Sequence, residues 1–149
     1  MSLEKEIKQQ KFESEHHKAA INVLVTGNWL YSQNATFLKQ YDLTPEQFNV
    51  LRILRGSYPR PMMLLDITAR MIDKSSNCTR LVEKLRQKGL VKREICGTNR
   101  RQVDILITKK GLTLLTELDT GTPEWLRLVQ RLSKAEVKEL NRMLDKVRG

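Results

Sequence analysis

Ser76-Asn77-Cys78-Thr79-Arg80-Leu81-Val82-Glu83-Lys84-Leu85-Arg86-Gln87-Lys88-Gly89 is the stretch on which the fold turns. At about 100° of rotation per residue, Cys78, Leu81, Val82 and Leu85 fall on one side of a helix. Ser76, Arg80, Glu83 and Gln87 fall opposite, flanked by Thr79 and Lys84. One face is therefore core and the other polar, and Gly89 marks the stop. The spacing predicts a helix over 76–88. Upstream, a shorter helical run over 64–72 is separated from it by Asp73-Lys74-Ser75. Downstream come two strand-like runs, 90–95 and 103–107, the first partly alternating apolar with charged residues and the second rich in β-branched ones. Gly97-Thr98-Asn99-Arg100-Arg101 joins them as a turn-forming, basic loop. Two short helices, a glycine stop and a hairpin with a basic loop form a winged helix-turn-helix.

That pattern nominates a nucleic-acid surface. A recognition helix enters the major groove with its N-terminal end leading. Short hydroxyl side chains suit phosphates or bases there, and arginine reads guanine in two-pronged fashion. The candidates for the major groove are Ser75, Ser76, Asn77, Thr79, Arg80 and Lys84. Asn99, Arg100 and Arg101 are the candidates for the wing, where arginine suits a narrow minor groove of concentrated negative potential. Taken alone, Arg80 and Lys84 are equally well read as the solvated face of an exposed helix; the basic hairpin beside them favours DNA. The charge distribution agrees. The chain carries a formal net charge of +10, and residues 80–110 hold ten Lys and Arg against three Asp and Glu. A focused positive charge marks a face for a polyanion.

The flanks read as helix. From about Glu4 to Gln40, the residues Ile7, Ala20, Leu24, Leu30, Phe37 and Leu38 form an apolar stripe, with a bend expected at Gly27-Asn28. Thr44-Pro45-Glu46-Gln47 supplies an N-cap, a proline at the first helical position and a capping-box glutamine, and Phe48, Leu51, Ile53 and Leu54 give that helix its apolar face. Helix resumes at Thr108 with Leu112, Leu115 and Leu118, is interrupted at Gly121-Thr122-Pro123, and continues through Trp125, Leu128, Val129 and Leu132. Ser133-Lys134-Ala135-Glu136 opens a last helix bearing Val137, Leu140, Leu144 and Val147. The expected organisation is one mainly α domain over 1–149. Residues 44–108 form the DNA-binding core, and 4–40 with 109–148 form a helical dimerisation region. One small centre cannot cover both flanking stripes; interlocking two chains as a homodimer would.

Those segments resemble the MarR family, the multiple-antibiotic-resistance regulators. Residues 43–51 resemble the family's second helix, 77–85 its recognition helix and 88–91 its turn into the wing. Asn99-Arg100-Arg101 followed by Ile107-Thr108-Lys109-Lys110-Gly111 resembles its signature of Asp, Arg, then Leu-Thr-x-x-Gly. The order and spacing of the pieces make the match specific across about residues 20–147. Asn99 stands where the family usually has Asp, which helps hold the wing arginine, and Ile107 stands for the usual Leu. The resemblance implies an operator-binding homodimer with interlocked first and last helices, most often a repressor. It implies a small apolar or phenolic effector between the dimerisation and DNA-binding parts. It also implies that some members sense oxidants through cysteine and a few bind zinc.

Other features are read more plainly. Cys78, on the apolar side of its helix, is expected to be a buried small hydrophobe rather than a redox switch, and Cys96 to end a wing strand. Two cysteines and the adjacent His16-His17, which diverge by about 100° on a helix, leave no visible metal site. Trp29, Tyr31 and Trp125 are read as core or dimer-interface aromatics before ligand-pocket ones. No G-x-G-x-x-G, P-loop, H-E-x-x-H or G-x-S-x-G occurs, so neither an enzyme nor a cofactor is expected. The apolar run 19–25, interrupted by Asn22, is too short to span a bilayer, and the first residues lack the order of a signal peptide, so a cytoplasmic protein without membrane contact is expected. The alternative function is a winged-helix protein-interaction module that does not bind DNA.

Overall fold

The computed structural model describes residues 2–95, 103–121 and 123–149. Its elements run α1 (Leu3–Glu6), α2 (Glu15–Lys39), α3 (Pro45–Ser57), β1 (Met62–Met63), α4 (Leu64–Arg70), α5 (Cys78–Gln87), β2 (Val91–Ile95), β3 (Val103–Ile107), α6 (Lys109–Asp119), α7 (Glu124–Val129) and α8 (Lys134–Arg148). The fold is mainly α with a small antiparallel sheet of order β1-β3-β2.

The capping signals operate as read. The Thr44 hydroxyl accepts the Gln47 amide while the Gln47 side chain accepts the Thr44 amide, closing a capping box under Pro45. Ser133 and Glu136 repeat the arrangement at α8. The predicted first helix is corrected: it divides into α1 and α2. Lys8 turns the chain into the left-handed region at φ 55°, and Ser14 then caps α2 by accepting the His17 amide at 3.1 Å. Gly27-Asn28 makes no break, since an interior glycine costs only about 1 kcal/mol and the rest of the 25-residue helix outweighs it.

The core lies in the central segment. Of eleven side chains that are less than 2% exposed, nine fall between Val50 and Ile107, with Leu38 and Leu115 from the flanks. Each contributes about 1.5–3 kcal/mol of burial. The helix α3 is the hub, burying Val50, Leu51 and Leu54 and packing against α2, α4, α5, α6 and β3. The flanking helices differ sharply. The helix α2 buries only Leu38, and α8 buries nothing. Val23, Leu24, Met143 and Val147 stay exposed on them. Among the described residues, no helix is long and apolar enough to cross a membrane.

Strand β3 is central. It pairs with β2 from Val91 opposite Ile107 to Ile95 opposite Val103, and with β1 through Met62–Ile105 and Met63–Asp104. The strand β1 escapes a sequence reading because two methionines between Pro61 and Leu64 carry no alternation. Val91 is buried, whereas Lys92 to Ile95 are all exposed, so β2 leaves the core as a projecting ribbon.

Candidate nucleic-acid interface

The sequence placed the helical start at Ser76; the structure corrects it to Cys78, with Asn77 as N-cap. The Asn77 side chain accepts the Arg80 amide at 3.1 Å. Cys78, Val82 and Leu85 are buried at steps of four and three, and they press α5 onto α3, α4 and β2. Thr79, Arg80, Lys84, Arg86 and Gln87 face solvent. Cys78 is buried, as its position on the apolar face implied.

The turn before α5 is organised by one carboxylate. Asp73 accepts both the amide of Ser75, at 2.9 Å, and its hydroxyl, at 2.6 Å. The Ser75 hydroxyl above all, then its amide, hold the Asp73 carboxyl below the usual range, with a smaller contribution from the hydroxyl of Ser76. Ser76 is half-buried and its hydroxyl oxygen is shielded from solvent, whereas Ser75, Asn77 and Thr79 are exposed.

The basic residues here divide into two sets. Arg86 forks onto Glu83 at 2.8 Å and 3.0 Å, and Arg93 of β2 approaches the same carboxylate at 3.9 Å. Glu83 thereby ties α5 to the ribbon, and the Arg86 hydrogen bond is the chief reason its pKa falls below 4.5. Lys88 is held by Asp42, at 3.1 Å, and by Gln47. Arg80 and Lys84, by contrast, pair with nothing among the described residues. No acid lies in the first turn of α5, so the positive end of the helix dipole adds to Arg80. Two uncompensated cations one turn apart on the exposed face of this helix, Arg80 near its start and Lys84 in its last turn, are what a phosphate backbone would find.

The exit from α5 is locked from behind. Gly89, at φ 72°, takes the left-handed conformation that ends the helix. The Thr108 hydroxyl donates to the Gly89 carbonyl at 2.7 Å and accepts the Gly111 amide at 3.1 Å, and the Thr108 amide donates to the Leu90 carbonyl at 3.0 Å. A methyl group at Gly111 would lie 2.5 Å from that carbonyl oxygen. The Thr108-x-x-Gly111 sequence therefore fastens α6 and β3 to the recognition helix. Asn99, Arg100 and Arg101, like Cys96, lie outside the described residues.

A cleft of about 390 Å³ opens behind this unit, lined by Tyr31 and Asn34 of α2, Glu46 and Phe48 of α3, Asp73, and Trp125 of α7, among others. Trp29, read with Tyr31 and Trp125 in the sequence, lies apart and lines a separate cleft with Leu3 and Arg131. Sequence reasoning missed Asp73 and Glu46 as cleft residues; no local signal joins positions so far apart. Among the described residues, no group of three or more His, Cys, Asp and Glu is placed to hold a metal ion.

A helix-turn-helix with free cations on its second helix, backed by a three-stranded sheet with a projecting ribbon, defines a winged helix-turn-helix protein. Comparison with known proteins makes this specific. Residues 43–103 match the model of the MarR family. The HTH-type transcriptional regulator MgrA of Staphylococcus aureus is 34% identical over 117 residues, 78% of this chain and 77% of that protein. A MarR transcription factor from Planctomyces limnophilus superposes with a TM-score of 0.69 at 30% identity, over 91% of this chain and 98% of that one. A mutant MarR from E. coli, complexed with operator DNA, shares the fold at a TM-score of 0.78 and 21% identity, over 93% of this chain and 99% of that one. The chain belongs to the MarR family, whose matched members are transcriptional regulators and not enzymes.

Proposed function

We propose that this chain is a ligand-responsive repressor that binds a pseudo-palindromic operator as a homodimer in the cytoplasm. The observation that carries the reading is the pair Arg80 and Lys84, exposed and unneutralised one turn apart on α5 while Arg86, Lys88 and Arg93 are engaged. Ser75, Asn77 and Thr79 join them at the major groove, and Asn99, Arg100 and Arg101 serve the wing. Ser76, with its hydroxyl turned inward, acts through the turn instead. The E. coli MarR complex with operator DNA supports the same use of the fold here. Residues 44–108 are the DNA-binding core, and 4–40 with 109–148 the dimerisation region. The exposed Val23, Leu24, Met143 and Val147 of α2 and α8 are the surface that a second copy would cover. Two-fold symmetry then sets the recognition helices about 34 Å apart, one DNA turn. The Tyr31–Trp125 cleft, between these two regions, supplies the effector site.

The test is fluorescence anisotropy on a duplex selected from a random pool and on unselected duplex at matched salt. Arg80→Ala is expected to cost about 1–3 kcal/mol on the selected site and less on unselected DNA. Lys84→Ala should weaken both about equally and reduce the salt slope by about one. If neither substitution alters binding, the docking model is wrong, and a wild-type protein that binds no duplex would instead be a protein-interaction module.

A further inference from the structure

The cleft behind the recognition helix has an unexpected charge. In a chain of net +10, its wall carries the carboxylates of Glu46 and Asp73 against the single guanidinium of Arg52. Arg52 lies over the Phe48 ring of the same cleft, 5.7 Å from the centroid, and 4.0 Å from the carboxylate of Asp119, so its one charge is shared with an acid outside the cleft. Glu46 faces the cleft with the Tyr31 hydroxyl donating to it at 2.7 Å. That hydrogen bond, then desolvation, then the charges of Glu46 and Asp73, push the Tyr31 phenol up from its ordinary pKa, so the phenol stays neutral and adds no cation-repelling or cation-neutralising change at physiological pH. Tyr31, Phe48 and Trp125 supply aromatic walls. Trp125 and Asn34 line the same cleft, and the indole nitrogen of one and the side-chain oxygen of the other are buried without a hydrogen-bond partner among the described residues. Buried polar atoms of that kind ordinarily have a partner. Aromatic faces with fixed carboxylates favour a cation through ring quadrupoles and Coulomb attraction together, and disfavour an anion.

The second observation is positional. Asp73 is at once a wall of the cleft and the residue whose carboxylate holds the Ser75 amide and hydroxyl, two residues before the Asn77 cap. Both Ser75 bonds end on Oδ1 of Asp73, so a cation drawn to that carboxylate withdraws charge from the oxygen that holds Ser75. Ile72 beside it is tied to α3 by its amide, which donates to Asn49 at 2.9 Å, so the chain on the α4 side stays fixed and the change is delivered toward α5.

We propose that the cleft binds a small aromatic cation, and that Asp73 transmits its binding to the start of the recognition helix, lowering affinity for DNA. The proposal rests on the ligand-responsive reading above and names the ligand class and the coupling residue. Glu46 contributes affinity alone; Asp73 contributes affinity and coupling.

The experiment uses three probes of similar size, benzyltrimethylammonium, benzoate and benzyl alcohol, at constant ionic strength. Binding is followed by calorimetry and by tryptophan fluorescence, and release of labelled duplex by anisotropy. The wild-type protein is expected to bind the cation at least about tenfold more tightly than benzoate, and to lose duplex affinity when the cation is present. Glu46→Gln should weaken cation binding by about tenfold yet still release DNA at saturating cation. Asp73→Asn, whose amide oxygen still accepts from Ser75, should keep its duplex affinity when saturated with cation. Each variant is compared only with itself, with and without probe, and circular dichroism verifies its fold; should Asp73→Asn not fold, Glu46→Gln still tests the charge preference. Benzoate bound as tightly as the cation, with DNA released, would overturn the charge inference and leave the ligand-responsive reading standing. Cation-driven release that persists in Asp73→Asn would overturn the coupling. Failure of all three probes to bind or to release DNA would overturn the inference, and duplex release by an unrelated effector would show that the broader reading survives it.

Discussion

Gly111 offers the sharpest stability prediction, because the same substitution should have opposite signs at two positions. A Cβ at Gly111 falls 2.5 Å from the Leu90 carbonyl oxygen and 2.7 Å from Cγ1 of Ile107. A carbon against a carbonyl oxygen needs about 3.3 Å, so α6 and the turn after α5 must part by roughly 0.8 Å. The obstacle is backbone, and the oxygen is already bonded to the Thr108 amide at 3.0 Å. Overpacking costs about 1–3 kcal/mol and a weakened hydrogen bond about 0.5–1.5, while the better helix propensity of alanine returns at most about 1. Gly111→Ala should therefore destabilise by about 1–3 kcal/mol. At Gly56, in α3, an added Cβ meets nothing within 4 Å, and Gly56→Ala should stabilise by up to about 1 kcal/mol. Urea and thermal unfolding by circular dichroism, at fixed protein concentration, measure both. The Gly111 variant should melt about 3–10 °C lower. A Gly111→Ala protein as stable as the wild type would show that Thr108-x-x-Gly111 does not fasten the recognition helix, and would remove the structural reading of that motif.

Asn77→Ala should cost about 1 kcal/mol by stripping the cap from the Arg80 amide, and should loosen the first turn of α5, read as faster amide exchange at Thr79 and Arg80. Glu83 has a folded pKa below 4.5, so its stabilising tie is fully present above that value and fades as pH falls through the lower folded pKa; urea midpoints for wild type and Glu83→Gln should differ at pH 7 and converge at strongly acidic pH. Buried Cys78 should resist thiol reagents in the native Cys96→Ser protein and react only when unfolding agents are added.

Much of the fold is legible because its boundaries are chemical. Thr44-Pro45-x-Gln47 and Ser133-x-x-Glu136 can hardly be anything but helix starts, and Gly89 must end one. The exact beginning of α5 is not legible, since Ser75, Ser76 and Asn77 are all competent caps. A neighbouring side chain settles it: Asp73 takes the Ser75 amide and hydroxyl, leaving Asn77 to cap and placing Cys78, Val82 and Leu85 in phase with the core. The break at Lys8 is equally hidden, because lysine has no propensity for a positive φ that could mark it in the sequence.

The candidate face was legible in composition but not in its division. Counting charges between 80 and 110 treats every lysine and arginine alike. Geometry separates them, since Arg86 and Arg93 converge on Glu83 and Lys88 on Asp42, which leaves Arg80 and Lys84 as the uncompensated pair on α5 among the described residues. A base already held by a carboxylate gains less from a phosphate, because the new contact must first displace the old one. On the proposed reading, the large net charge would steer DNA toward the protein, while Arg80 and Lys84 of α5 would set where it docks. The cleft reverses that logic on the opposite side of Asp73: there, acids outnumber the one available base, and no count along the sequence brings Tyr31, Glu46, Asp73 and Trp125 to a single wall.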